Sequence, residues 1–204
     1  MTETEFNELA RQGYNRIPII LDTYADLDTP LSIYLKLANQ PYSYLLESVQ
    51  GGERFGRYSF IGLPAANRLE VRDNSIKIIT GNQSEIIQAE DPLAFIESYQ
   101  RQFKAAPCPF GMSRFCGGLV GYFGYDTVRL IERKLNGHAP MDTLDTPDIV
   151  LLLSEELAVV DNLSGKLYLI VYVNPENDQA YQTGCDRIRT LLAKLRQPVP
   201  IPTE

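Results

Sequence analysis

The sequence is poor in residues on which much enzyme chemistry depends: it has one histidine, three cysteines and no tryptophan in 204 residues. The histidine, His138, has the loop-like neighbours Asn-Gly-His-Ala-Pro. A histidine-rich zinc site is therefore impossible, and a Ser-His-Asp triad would have to use this one residue. Cys108, Cys116 and Cys185 lack the CxxC spacing of metal ribbons, and their odd number predicts no disulfide framework.

Long apolar runs and basic character are also lacking. The longest purely aliphatic run, residues 149–153, is far too short to span a bilayer, and the acidic, polar residues 1–11 do not resemble a signal peptide. A net charge of −7 repels nucleic acid and anionic membranes. We therefore expect neither partner, and the cysteine usage favours a reducing, cytoplasmic setting.

What the sequence does contain is an alternation of single helices with groups of strands. Helices are predicted over residues 4–12, 30–38, 92–103, 125–135 and from 174 to 195. Strands are predicted over residues 17–21, 42–48, 57–62, 68–72, 75–80, 84–89, 114–123, 148–160 and 166–173. This order is typical of an α+β fold in which antiparallel or mixed sheets pack together with helices on the outside.

The composition predicts one domain over residues 1–196. Three prolines fall within residues 197–204, which we interpret as an extended linker or tail.

A glycine-rich segment, residues 117–124, invites comparison with phosphate-binding loops. Its glycines, at 117, 118, 121 and 124, do not fit the GxGxxG spacing, and no Lys-Ser/Thr pair follows. We interpret the segment as a strand that another backbone approaches closely.

Two other charged patterns favour structure over chemistry. Asp126 and Arg129 have the spacing of helical neighbours, which predicts either a salt-bridged surface helix or a docking face for another domain. Glu155 and Glu156 are adjacent on a predicted strand, so their side chains point to opposite faces and cannot easily converge as a carboxylate pair.

The most informative stretch is Leu-Leu-Glu-Ser at residues 45–48, followed by the glycine- and arginine-containing residues 51–62. A carboxylate for an ammonium, an arginine for a carboxylate and apolar walls could together hold a small zwitterion. The residues alone leave a second interpretation open: a strand, a turn and another strand, with Arg54 and Arg57 solvated.

Four segments, residues 28–38, 44–48, 51–62 and 117–129, together resemble the N-terminal region of anthranilate synthase component I. The resemblance covers nearly the whole chain and implies half of that family's α/β/β/α architecture. It also suggests that the proline-rich end leads toward a C-terminal chorismate-binding domain that the sequence does not contain.

The resemblance implies a lyase of tryptophan biosynthesis that converts chorismate to anthranilate and pyruvate. The family uses magnesium and ammonia, or ammonia supplied by a glutamine amidotransferase subunit, component II. Its catalytic and magnesium-binding residues lie in the C-terminal half, and no position of this chain matches them. We therefore expect no catalytic residue, metal ligand or cofactor in this chain, and no activity from it alone.

The resemblance further implies part of an allosteric L-tryptophan site for feedback inhibition. Leu46, Glu47 and Ser48 match the ligand-contacting segment, and Arg57 matches a basic position downstream. Two alternatives remain: the N-terminal part of aminodeoxychorismate synthase component I, in the folate pathway, and a stand-alone amino-acid-binding module.

Overall fold

The computed structural model describes residues 1–47, 56–108, 115–135 and 146–199. Its helices are α1 (Glu3–Arg11), α2 (Pro30–Leu37), α3 (Pro92–Arg101), α4 (Val128–Ile131) and α5 (Ala180–Leu195), with 3-10 turns at Tyr125–Thr127 and Arg133–Leu135. Its strands are β1 (Ile17–Tyr24), β2 (Tyr44–Leu46), β3 (Tyr58–Gly62), β4 (Asn67–Arg72), β5 (Ser75–Thr80), β6 (Gln83–Gln88), β7 (Gly118–Phe123), β8 (Ile149–Ser154), β9 (Glu156–Asp161) and β10 (Lys166–Val173). The predicted α+β class is confirmed.

The chain forms two compact units, each built around one five-stranded sheet. The first unit comprises Met1–Ala65, Lys104–Gly117 and Ser154–Glu204, and the second comprises Ala66–Phe103 and Gly118–Leu153.

The sheet of the first unit has the order β1-β10-β9-β3-β2, and its strands pair antiparallel. Its strand β9 is buried on both faces, since Ala158 and Val160 join one apolar cluster while Leu157 and Val159 join another. The first of these clusters includes residues of α1, α2 and α5, such as Ile188. Helices therefore cover one face of this sheet.

The sheet of the second unit has the order β6-β5-β4-β8-β7. Its core joins buried residues of β4, β5 and β8 to Ile96 of α3. Edge strand β7 is largely exposed and approaches β8 very closely. A Cβ atom on Gly121 would lie 1.8 Å from the carbonyl oxygen of Val150, so only glycine fits there. The predicted close backbone approach at this segment is confirmed.

Two helix starts agree with the sequence because their caps are local. The Thr29 hydroxyl accepts a hydrogen bond from the Ser32 amide at 3.1 Å, and the Asp91 carboxylate accepts one from the Ala94 amide at 2.9 Å. The first helix, predicted from residue 4, begins at Glu3 and is capped by Thr2.

The predicted helix over residues 125–135 is wrong as a continuous element. Glu132 is extended, with φ −98° and ψ 91°, and it separates α4 from the following 3-10 turn. Ile131 and Leu135 are 67% and 42% exposed. Of the apolar residues in this segment, Leu130 packs against the core of the second unit.

The predicted strand over residues 148–160 is also wrong as a single strand. It divides at Glu155 into β8, which pairs with β4, and β9, which pairs with β10 and β3. The Glu155 carbonyl accepts a hydrogen bond from the amide of Tyr172, and its carboxylate pairs with Arg16 at 2.6 Å. These contacts are distant in sequence, so the local pattern of residues 148–160 did not indicate the division.

The last helix begins at Ala180, not after Asn174. The Asn174 side chain accepts a hydrogen bond from the Glu176 amide in a turn, and Gln179 adopts a left-handed φ of 51° before the helix begins. The local cap at Asn174 therefore closes a turn instead of a helix.

Candidate functional site

Edge strand β2 and the residue after it carry the first two of the predicted effector-binding residues. Leu46 pairs with Phe60 of β3 and is 47% exposed, and Glu47 follows it as an exposed residue. Leu45, on the other side of the strand, packs against the core of the first unit. Ser48 lies outside the described residues, as does Arg54. The exposed Leu46 side chain and the adjacent Glu47 carboxylate thus lie at the C-terminal end of β2.

Tyr44 holds this strand in place. Its hydroxyl lies 2.6 Å from the hydroxyl of Ser154, whose residue is 3% exposed. Its ring lies over Gly62, where a Cβ atom would be 1.9 Å from Tyr44 Cε1. Burial raises the pKa of Tyr44, so its hydroxyl stays protonated and polar at neutral pH.

Arg57 precedes β3 by one residue and binds Asp161 at the end of β9. Its Nε donates to Oδ1 at 3.1 Å and its Nη2 donates to Oδ2 at 2.8 Å. The Asp161 side chain is 3% exposed, against 42% for that of Arg57. The guanidinium also lies 4.9 Å from the centre of the Tyr58 ring. The Nε–Nη2 edge of the Arg57 guanidinium is therefore already bound to Asp161.

Asp161 collects further hydrogen bonds from the turn that follows it. Its Oδ1 accepts the amides of Leu163 at 3.1 Å and Ser164 at 3.4 Å. The hydrogen bonds from Arg57 chiefly hold the pKa of Asp161 below its usual range. The carboxylate therefore stays ionised through the neutral range and fixes the β9–β10 turn to the residue before β3.

The pairing of the two strands relates these residues to each other. Because β2 and β3 run antiparallel with Leu46 opposite Phe60, the C-terminal end of β2 lies toward the end of β3 at which Arg57 precedes it. Leu46 and Glu47 are thus neighbours by strand geometry, and Arg57 is placed at the same end of the hairpin.

The other charged patterns form ion pairs, and the docking face predicted as an alternative for Asp126 and Arg129 stays a prediction. Arg129 donates to Asp126 at 2.7 Å and 2.9 Å in an exposed pair. Glu156 binds Arg187 through two hydrogen bonds of 2.7 Å, whereas Glu155 binds Arg16, so the adjacent glutamates have separate partners.

Among the described residues, no group of three or more histidine, cysteine, aspartate or glutamate side chains could hold a metal ion. His138 lies outside the described residues. No helix in the described ranges is long and apolar enough to cross a membrane.

The curated relatives and the solved structure that the chain matches all carry the same name. The chain is 52% identical to anthranilate synthase component 1 of Pseudomonas putida over 200 residues, which is 98% of this chain and 40% of that protein. The chain belongs to the anthranilate synthase component 1 family. It is also 50% identical to the Neisseria meningitidis serogroup C protein of that name over 99% of this chain and 42% of the relative. It thus spans about two fifths of the length of these curated relatives.

A solved structure of anthranilate synthase component I from Streptococcus pneumoniae TIGR4 has the same fold. It matches with a TM-score of 0.56 and 24% identity over 87% of this chain and 37% of that one. No protein-family model matches the sequence.

Two parts of this site were missed from the sequence. Asp161 could have been predicted to accept backbone amides, because it opens an Asp-Asn-Leu-Ser-Gly turn. Its pairing with Arg57, 104 residues away, had no local signal. The contact of Tyr44 with Ser154 likewise joins residues 110 apart.

Proposed function

We propose that this chain is the N-terminal, regulatory part of an anthranilate synthase component 1 subunit. The complete subunit would convert chorismate and ammonia to anthranilate and pyruvate in the cytoplasm, as a lyase of tryptophan biosynthesis. The observation that carries the proposal is the identity of 52% over 98% of the chain with a protein of that name.

The chemistry would be supplied by the C-terminal half of the complete subunit. Catalytic and magnesium-binding side chains belong to the proposed chorismate-binding domain, and ammonia would come from a glutamine amidotransferase partner, component II. The chain alone is proposed to be catalytically inactive. Its contribution would be to bind an effector and to pack against that catalytic domain.

The proposed effector is L-tryptophan, bound at the end of β2. The exposed Leu46 side chain would contact the indole ring, the Glu47 carboxylate would accept the ammonium, and Ser48 would add a hydroxyl. Arg57 would approach the effector carboxylate from its Nη1 side, because Asp161 occupies its Nε and Nη2 donors. A site completed by another domain couples effector binding to the arrangement of the two domains.

The test uses the absence of tryptophan from the chain. L-Tryptophan is titrated with the protein while its own indole emission is followed, with D-tryptophan and L-phenylalanine as controls. Saturable binding that requires the L form and the indole ring is the expected result. The same titration is repeated on the full-length subunit. Binding to the full-length subunit alone would mean that the other domain completes the pocket. Absence of binding to both proteins would contradict the effector proposal.

A further inference from the structure

Strand β6 forms one edge of the second unit's sheet. Among the described strands it pairs with β5 alone, in an antiparallel hairpin in which Thr80 lies opposite Gln83. All of its residues except Ile87 are exposed. An edge strand of this kind presents a row of backbone amides and carbonyls to which another strand can pair.

The register of the hairpin fixes which backbone groups of β6 point outward. In an antiparallel pair, opposite residues alternate between pairs that exchange hydrogen bonds and pairs that do not. The Ala89 amide donates to the Asn74 carbonyl at 2.9 Å, one residue beyond the paired strands. Residues 83, 85 and 87 lie an even number of positions before Ala89, so their amides and carbonyls point toward β5. Those of residues 84, 86 and 88 therefore point away from it.

The other edges of the two described sheets have features that oppose pairing with another chain. Strand β2 has only three residues, β1 contains Pro18, and β7 contains Gly118, at φ 118°, and Gly121. Short edge strands and proline hinder edge-to-edge pairing, and glycine weakens a strand. The β6 sequence, Gln-Ser-Glu-Ile-Ile-Gln, has no proline, glycine or lysine and a single charge. Of these edges, β6 is thus the one best suited to pair with a further strand.

The outward groups of β6 are complementary to those of a second β6. An antiparallel arrangement with Ile86 opposite the partner's Ile86 places Ser84 opposite the partner's Gln88, so all three outward residues exchange hydrogen bonds. The two Ile86 side chains, each 65% exposed, become an apolar cross-strand pair, and Glu85 lies opposite the partner's Ile87. An axis at Glu85 would instead oppose two carboxylates, and an axis at Ile87 would leave Ser84 without a partner in β6. The register centred on Ile86 is therefore favoured.

We propose that β6 is a dimerisation surface and that its partner is a second copy of this chain. The two β6 strands pair antiparallel about a twofold axis at Ile86, and the two five-stranded sheets become one continuous sheet. Lys77 of β5 lies opposite Ile86, so the aliphatic stems of two lysines flank the pair of isoleucines. The proposal does not depend on the effector site, which belongs to the first unit.

The test measures the sedimentation equilibrium of the chain over a range of concentrations, and we expect a reversible dimer. Ile86→Glu should weaken the dimer about tenfold or more, because two carboxylates then meet at the axis. The hairpin itself should be preserved, since the new carboxylate lies opposite Lys77 of its own chain. Leu163→Glu is the matched control, at a leucine of the β9–β10 turn that is 57% exposed, and should dimerise like the parent.

A charge exchange tests the position of the axis. Ile86→Lys alone should also dimerise weakly, whereas an equimolar mixture of Ile86→Glu and Ile86→Lys should recover the dimer. Only an axis at Ile86 brings the two opposite charges directly together. Ile86→Pro removes an outward amide without removing a hydrogen bond to β5, so it should abolish the dimer and leave the circular dichroism spectrum unchanged.

A parent that stays monomeric, or a dimer that Ile86→Glu and Ile86→Pro leave unchanged, would overturn the proposal. A mixture that fails to associate would overturn the axis at Ile86. The same variants should change the oligomeric state of the full-length subunit. A monomeric full-length subunit in which the amides of residues 84, 86 and 88 are protected from hydrogen exchange would assign the β6 edge to another part of the subunit, and would also overturn the proposal.

Discussion

The carboxylate of Asp161 joins separate backbone segments of the first unit at a single buried point. It accepts two hydrogen bonds from Arg57 before β3 and the amides of Leu163 and Ser164 in the β9–β10 turn. Charge-assisted hydrogen bonds of this kind are roughly twice as strong as neutral ones. Arg57, which one interpretation of the sequence left solvated, therefore helps to hold these backbone segments together.

Replacing this carboxylate should be costly. We expect Asp161→Asn to lower the free energy of unfolding by about 2 kcal/mol, because the amide loses the charge that Arg57 and the turn amides face. Urea denaturation at neutral pH measures the change. Asp22→Asn is the control, since Asp22 pairs with Lys166 at the surface and its loss should cost below about 1 kcal/mol. Equal losses in the two variants would contradict the assignment.

The same pair predicts a pH dependence. The folded-state pKa of Asp161 is depressed, mainly by Arg57, below an unfolded value of about 3.9. Its stabilising contribution is therefore fully present above that pH and is lost as pH falls through the folded pKa. The stability difference between the parent and Asp161→Asn should stay constant from neutral pH to about 5 and narrow below about 4. A difference that widens in acid would refute this account.

Glu47 is the proposed partner of the effector ammonium. Glu47→Gln should weaken L-tryptophan binding about tenfold, because the neutral amide forms weaker hydrogen bonds to a cation than a carboxylate does. The indole-emission titration measures this, in the full-length subunit if the chain alone does not bind. Glu85→Gln, at an exposed position of β6, is the matched control. If both variants bind like the parent, Glu47 is not a contact.

At the scale of elements, β7 approaches β8 closely at Gly121. Gly121→Ala places a methyl group 1.8 Å from the Val150 carbonyl oxygen, so β7 has to move or lose its pairing. We expect a loss of about 3 kcal/mol or more in unfolding free energy, with faster hydrogen exchange along β7. Ser84→Ala, on the exposed β6 edge of the same sheet, should change stability by less than about 0.5 kcal/mol. A Gly121→Ala protein as stable as the parent would show that β7 and β8 lie further apart than the structure indicates.

The elements that were predictable are those whose signals lie within a few residues. The caps at Thr29 and Asp91 each use an amide three residues on, and the hairpin of β4 with β5 needs only its two-residue turn. The division at Glu155 depends on partners far along the chain, in β4, β10 and at Arg16. For the site, strand geometry predicted Leu46 and Glu47 near a strand end, whereas no local pattern indicated the partner of Arg57.

At the scale of the whole molecule, the proposed regulation depends on the complete subunit. We expect a full-length subunit carrying Ser48→Phe to keep its activity at L-tryptophan concentrations that inhibit the parent, because the bulky ring would occupy the effector position. Steady-state rates against L-tryptophan concentration test this, with Ser84→Phe, on exposed β6, as the control. Equal inhibition of Ser48→Phe and the parent would rule out the predicted contact.

The order of strands in the first sheet has a consequence for synthesis on the ribosome. Among the described strands, β1 pairs with β10 alone, and β10 begins about 140 residues after β1 ends. Every described strand of the second sheet is complete by Ser154. At 5–20 residues per second, β1 emerges and then waits about 7 to 30 s for its partner. During that interval its Ile-Pro-Ile-Ile segment has no strand to cover it, and a nascent chain in this state is a natural client for chaperones that shield apolar segments.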